Sequence, residues 1–281
     1  MGSSTGNDLE QAVAWLEDAD GLLITAGAGM GIEGGLPDFR DSKGFWRTYP
    51  AVGREGLRFE EMASPAAFHE TPRLAWGVYG LRLNLCRDTA PHAGYGILRR
   101  WAKAMPRGAF VYTSNVDGHF ERAGFAPGRI AESHGSIHTL QCLRACTHDL
   151  WSADTFHPVV DEATTRLTSV VPTCPHCGAV ARPNILMSND WKWVPDRVLE
   201  QHWRLEEWLA GLRRLVVVEV GATMSMPALR MFGERHSPRV IRINRCNAVI
   251  APDAGVGLRG PVLEGLRRID ERYAPTRMVG T

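Results

Sequence analysis

The chain has 281 residues, 44% of them hydrophobic, enough to bury the core of one sizeable domain plus a small satellite and too many for a disordered chain. Its 32 Lys and Arg stand against 31 Asp and Glu, so there is no charge excess with which to grip a polyanion, and nucleic acid is not expected as a partner. The longest apolar runs, such as residues 215–218, fall far short of the roughly 18 needed to cross a bilayer, and no membrane partner is expected.

The opening MGSSTGND lacks the basic and then apolar order of a secretory signal and reads as a tail. Residues 8–19 place Leu9, Ala12, Val13 and Leu16 on one helical face, with Asp8 as cap or first-turn acid. Residues 21–25 are a short apolar run that ends in the glycine-rich stretch 27–35, the pattern of buried strand, loop and helix. Residues 62–105 are predicted mostly helical, broken at Pro72 and Pro91, with Trp76, Tyr79, Leu83 and Leu98 as packing residues. Further short runs at 110–113, 215–220 and 240–243 are rich in β-branched residues. Apolar strands spaced by helical sequence predict an α/β fold, a parallel sheet with helices on both faces.

Between Cys142 and Cys177 the sequence turns polar and rich in Thr and Pro, as an inserted module would. Cys142 and Cys146, then Cys174 and Cys177, can supply four thiolates to one tetrahedral zinc. Four thiolates close the coordination shell and leave no place for a catalytic water, so the zinc would be structural. His148 or His176 could replace one thiolate. Cys86 reads as packing and Cys246 is left open. Six cysteines are too few for a disulfide scaffold, which fits a reducing, cytoplasmic setting.

Gly29-Met30-Gly31-Ile32-Glu33-Gly34 satisfies G-x-G-x-x-G, whose glycines permit positive φ and close approach to a diphosphate. On its own it serves equally as a turn. A dehydrogenase would need a second strand with an acidic end about 20 residues on. The segment GFWRTYPAVGREG follows instead, and hydride transfer is not expected.

The continuation is more specific. Gly27, Ala28 and Gly29, then Gly35, Leu36, Pro37, Asp38, Phe39 and Arg40, resemble the signature of the sirtuin family. Thr113-Ser114-Asn115-Val116-Asp117 is similar to the family's Thr-Gln-Asn-Ile-Asp, and His134-Gly135, Gly221-Ala222-Thr223 and Ile243-Asn244 follow in family order. The resemblance implies a Rossmann-like NAD-binding domain over 8–61, 106–141 and 183–275, a helical insertion over 62–105 and a zinc-binding module over 142–182. It implies NAD as a consumed co-substrate and an acyl-lysine protein or peptide as acceptor, whose acyl group passes to ADP-ribose as nicotinamide leaves.

By the same resemblance His134 is the general base, Asn115 and Asp117 line the ribose and nicotinamide pocket, and Arg40 lies near the diphosphate or cleaved ribose. Gly27, Ala28, Gly29, Asp38, Phe39, Ser114, Val116, Gly221, Ala222, Thr223 and Asn244 complete the cofactor contacts. Taken singly, a His before Gly is a turn and Asn-Val-Asp a capped loop; it is their joint order that carries chemistry.

Departures lie mostly on the acceptor side. Gly31 stands for the family's Ser and Ser114 for its Gln, and 184–190 replaces the segment that clamps the acyl-lysine peptide. Residues 187–193, with Trp191 and Trp193, are expected to form an aromatic and polar acceptor pocket, or else to join the core. The alternatives to deacylation are protein ADP-ribosyl transfer or NAD hydrolysis on the same scaffold, and an NAD-responsive binding module with little turnover.

Overall fold

A computed structural model describes residues 4–39, 42–224 and 227–273. Its main sheet holds six described strands: β1 (Gly21–Ala26), β2 (Ala109–Thr113), β3 (Ile130–Glu132) and, later in the chain, Leu215–Val220, Val240–Asn244 and Gly255–Arg259. A second, antiparallel sheet uses β4 (Gly135–Cys142), β5 (Trp151–Ser152) and β8 (Ala181–Ile185), and between them β6 (Val160–Asp161) and β7 (Arg166–Leu167) form a hairpin. The late strands of the main sheet are therefore β9, β10 and β11.

The main sheet is parallel throughout, in the order β11-β10-β9-β1-β2-β3. The chain builds outward from β1 to one side, then returns to lay β9 against the other side of β1. Such a reversal opens a crevice at the carboxyl ends of the two strands, here after Ala26 and Val220. The apolar runs exist because both faces are covered. Leu22 and Ile24 enter one core with Val216 and Val218, while Leu23 enters the other with Val217. Helices Ser4–Asp18, Ala93–Ala104 and Val262–Asp270 cover the first face through Leu16, Leu98 and Leu266; Asp196–Ala210 and Pro227–His236 cover the second through Leu205 and Leu229.

The predicted helical stretch does break at its prolines. Pro72 opens helix Pro72–Asp88, where a missing N–H costs nothing, and Pro91 precedes the N-cap His92. The strands β3 and β11 carry no sequence signal, one being three residues long and the other containing Gly255 and Gly257.

A separate core joins segments far apart in sequence. Leu74, Trp76, Tyr79 and Leu83 of helix Pro72–Asp88 pack with Ile137 and Leu140 of β4, Leu167 of β7 and Ile185 of β8. The Trp76 Nε1–H donates to Ala181 O at 2.8 Å, tying the helix to the cysteine-bearing module. No described helix is long and apolar enough to cross a membrane.

The docking of this helix is close enough to test. A Cβ built on Gly77 would lie 1.8 Å from the carbonyl oxygen of Thr165, in the β6–β7 turn. Alanine is the better helix former by about 1 kcal/mol, but the clash is with backbone, and overpacking of this kind costs about 1–3 kcal/mol. Gly77→Ala should therefore lower the melting temperature; a rise would show that the hairpin yields freely.

Candidate active site and metal centre

The glycine loop follows β1 directly. Gly27 N donates to Val220 O at 3.0 Å and Gly29 N to Gly221 O at 3.0 Å, so the loop lies on the turn after β9. A Cβ on Gly27 would stand 2.7 Å from Gly221 O, and one on Gly29 2.7 Å from Gly221 Cα. Neither Gly27 nor Gly29 has positive φ; that conformation belongs to Gly35 (φ 102°) and Gly221 (φ 63°). The glycines of the loop are there for backbone-on-backbone contact, a requirement the motif alone did not separate from diphosphate approach.

The segment after β2 is pinned to the same loop. Thr113 Oγ1 donates to Ala26 O at 2.8 Å and accepts from Asn115 N at 3.0 Å, while Asn115 Nδ2 donates to Gly27 O at 3.0 Å. Asp117 is buried, its Oδ1 accepting from His119 N at 3.0 Å. Its Oδ2 lies 3.1 Å from where a Cβ of Gly31 would be, so glycine at that position leaves room for the carboxylate. Ser114 is buried, and its Oγ has no partner among the described residues.

A cavity of about 440 Å³ opens between these segments, lined by Ala28, Asp38, Phe39, Ser114, Asn115, Val116 and Asp117 together with Arg82 and Cys86. Arg82 comes from helix Pro72–Asp88, its guanidinium 4.4 Å above the Phe39 ring and its Nε without a described partner. It brings a positive charge to a cavity that Asp117 also lines. Burial pushes the Cys86 thiol up to about 12, so it is a neutral wall group rather than a nucleophile. Nothing in the local sequence marked Arg82, because it sits among the apolar residues of a helix.

The other expected residues that are described do not line this cavity. Gly27, Gly29 and Gly221 form the backbone contact between the glycine loop and the turn after β9. Ala222 is buried, its carbonyl accepting from Asn244 Nδ2 at 2.6 Å and from Arg230 Nη2 at 3.2 Å. Asn244 Oδ1 accepts from the backbone N–H groups of Cys246 and Asn247, so this side chain organises the turn beside β9. Thr223 is half-buried next to Ala222. Arg40 lies outside the described residues.

His134 is half-buried immediately before β4 and does not line the cavity. Its carbonyl accepts from Leu186 N at 3.0 Å, and two residues after Gly135, Ile137 N donates to Val116 O at 3.0 Å, joining this strand to the Asn115–Asp117 segment. Gly135 has φ 79°, and a Cβ there would meet Asn184 O at 1.9 Å. The glycine after the histidine is thus imposed by β8. A second cavity of about 330 Å³ shares Asn115 and Asp117 and adds His119, Glu132 and Arg197, which the sequence did not single out. Burial raises the Glu132 carboxyl, against the pull of its Arg197 partner at 2.5 Å.

The four cysteines converge as expected. Cys142 hangs at the end of β4, and all four sulfurs lie within 4.8 Å of one another, with Cys142–Cys177 and Cys146–Cys174 at 3.6 Å. A tetrahedral zinc with bonds of about 2.3 Å requires sulfurs about 3.8 Å apart, so the donor set and its size fit structural zinc. His148 and His176 face Asp196 and Asp149 instead, at 2.8 and 3.1 Å. Cys86 packs in a core, and Cys246 is exposed.

The expected aromatic pocket at 187–193 does not form. Trp191 is 95% exposed, Met187 joins the second core, and Asp190 is buried in an ion pair with Arg182 at 2.7 Å. The turn, with Asn189 at φ 54°, leaves Trp191 in solvent and Trp193 half-buried.

Comparison with known proteins agrees with the fold. The Sir2 family profile matches residues 27–198. The NAD-dependent protein deacylase 2 of Pyrobaculum aerophilum is 30% identical over 252 residues, 89% of this chain and 89% of its own. A probable bifunctional ADP-ribose hydrolase/ADP-ribosyltransferase of Fusarium oxysporum f. sp. cubense is 30% identical over 79% of this chain, which spans 38% of that longer protein. A solved Sir2 homologue in complex with NAD has the same fold, with TM-score 0.69 at 21% identity over 94% of this chain and 93% of its own.

The metal centre generates its own prediction. The apolar residues of the module pack into the core shared with helix Pro72–Asp88, so the metal would tie the cysteine-bearing ends together, and Cys174→Ser should lower bound zinc and the melting temperature together. Emission spectrometry on purified protein reads the first and thermal unfolding the second. Full zinc content with unchanged melting in the variant would contradict a four-thiolate site.

Proposed function

The chain belongs to the Sir2 family, and from that premise we propose that it is an NAD-dependent protein deacylase acting on acyl-lysine in proteins or peptides. The observation that carries this is the convergence of Ala28, Asp38, Ser114, Asn115 and Asp117 on one cavity beyond the carboxyl ends of β1 and β2. The fit to NAD rests on the buried Ser114 hydroxyl left without a described partner and on the two polar side chains beside it. NAD supplies a nicotinamide–ribose bond whose cleavage makes the ribose an acceptor for the acyl group.

In this assignment Asn115 is held by Gly27 O and orients the ribose, and Asp117 accepts from the carboxamide NH2 of the nicotinamide. His134 takes a proton from a ribose hydroxyl; an imidazole suits this because its ordinary pKa of about 6.5 lies near working pH. Gly27, Ala28 and Gly29 offer backbone to the diphosphate, Gly221, Ala222, Thr223 and Asn244 border the adenosine side, and Phe39 and Val116 enclose the nicotinamide. Arg40 belongs to the same group by its place in the motif. We also infer a cytoplasmic setting, since the thiolate site requires reduced cysteines.

A second reading is ADP-ribosyl transfer or NAD hydrolysis, favoured by the likeness to the Fusarium protein. Products separate the two. Incubation with NAD and a panel of acetyl, longer aliphatic and acidic acyl-lysine peptides should yield free lysine and acyl-ADP-ribose by mass; ADP-ribosylated protein or ADP-ribose alone, with intact acyl peptide, would overturn deacylation.

His134→Ala should cut turnover by about 10² to 10⁴ and leave ADP-ribose affinity nearly unchanged, the usual loss for a missing general base. Asn115→Ala should impair both. Wild-type turnover in His134→Ala would remove the assigned base.

A further inference from the structure

The short helix Ala28–Ile32 ends within the wall of the cavity, and its geometry leaves one carbonyl to find a partner elsewhere. The N–H of Gly34, which would serve Met30 O in a longer helix, bonds instead to Gly31 O at 3.0 Å. The ring of His92 takes the position: its Nε2 is 3.0 Å from Met30 O. Its Nδ1 lies 3.1 Å from the backbone N of Gly94, where it caps helix Ala93–Ala104.

These two bonds determine the tautomer. A backbone N–H can only donate, so Nδ1 carries the lone pair and Nε2 carries the proton given to Met30. The ring is confined on its remaining sides. It meets Tyr95 edge to face with centroids 5.0 Å apart, and a Cβ on Gly94 would stand 2.6 Å from its Cε1. Helix Ala93–Ala104 is itself anchored in the main core through Leu98 and Trp101. The far end of the loop is bolted separately, since the Glu33 carboxylate accepts from Val262 N at 2.6 Å and Leu263 N at 2.9 Å.

We propose that His92 is a positioning residue for dinucleotide binding, holding Met30 O and with it the Ala28–Gly31 wall against the helix behind it. The role rests on the NAD site described above. A proton on Nδ1 would face the Gly94 N–H, abolish the cap and loosen the wall. The groups facing the ring are Glu33 of the loop, which favours its charged form, His119 of helix His119–Arg122, which opposes it, and Tyr95 of its own helix. Burial outweighs them and keeps the ring's pKa below its ordinary value, so the latch is closed at neutral pH. Affinity for the dinucleotide should accordingly fall as pH drops through that lowered pKa.

The test is calorimetric titration of the full chain with ADP-ribose from pH 5 to pH 8. Wild type should bind with constant affinity near neutrality and weaken in acid. His92→Phe keeps the ring volume but neither bond, and should bind about 5- to 10-fold more weakly near neutrality, the loss expected of one or two hydrogen bonds, with no acid limb beyond that of the fold itself. His92→Asn can still cap Gly94 and cannot titrate, so it should lie between the two and lose the acid limb. In turnover the effect should appear in KM for NAD with kcat retained. Wild-type affinity in His92→Phe, or an acid limb persisting in His92→Asn, overturns the role; the Asn variant carries the test if the Phe variant does not fold. Failure of wild type to bind ADP-ribose at any pH overturns the NAD site along with the role, whereas binding with unchanged variants overturns the role alone.

Discussion

The site depends on one close contact, that of the glycine loop with the turn after β9. Two backbones lie within hydrogen-bond reach there, Gly29 N to Gly221 O at 3.0 Å, with no space for a Cβ on either side. The contact fixes the glycine loop at the carboxyl ends of β1 and β9, the edge at which open parallel sheets place their ligands. Met30, Asn115 and Ala222 are then each held by a bond to a neighbouring element rather than to their own. Bonds of this kind restrict the segments to one arrangement, which reduces the ordering cost of binding.

The second half of the site is held by a different means. His134 stands where the chain passes from the parallel sheet into the antiparallel one, and its surroundings come from β4 and β8, whose far ends carry the cysteine pairs. A metal joining those ends would brace the strand pair through which His134 is placed. Helix Pro72–Asp88 supports the same strands from behind and sends Arg82 into the cavity. The strands that follow and flank His134 thus share one small core with the metal-bearing module.

Buried charge recurs where turns must hold a shape. Arg182 and Asp190 pair at 2.7 Å with both side chains wholly buried, and Glu219 pairs with Arg242 across β9 and β10 at 2.8 Å. Such pairs add little net stability, since desolvation offsets their attraction, but removing one partner leaves an uncompensated charge. Their effect is to hold one arrangement of the 186–194 turn and of the turn bearing Asn244 over others. The Arg182–Asp190 pair also explains why residues 187–193 form no aromatic pocket: Asp190 is drawn inward and Trp191 is left in solvent.

The sequence by itself determined the parallel sheet, through apolar runs that only a doubly covered strand can bury, and the metal centre, through cysteine pairs set in sequence with no core to join. It also singled out the two segments that come to line one cavity, because residues 27–38 and 113–117 are contiguous stretches whose spacing survives in one dimension. Tertiary structure alone decided what depends on approach between distant segments. Arg82 enters the cavity because its helix packs on β4, and Gly135 is required because β8 passes 1.9 Å from where its Cβ would be. His92 reaches Met30 across 62 positions of sequence, and β11, with two glycines and little apolar signal, is a strand only because β10 offers it an edge. A local pattern records which residues a segment must bury, not which neighbour will bury them, and the outward turn of Trp191 was settled by an ion pair that no periodicity encodes.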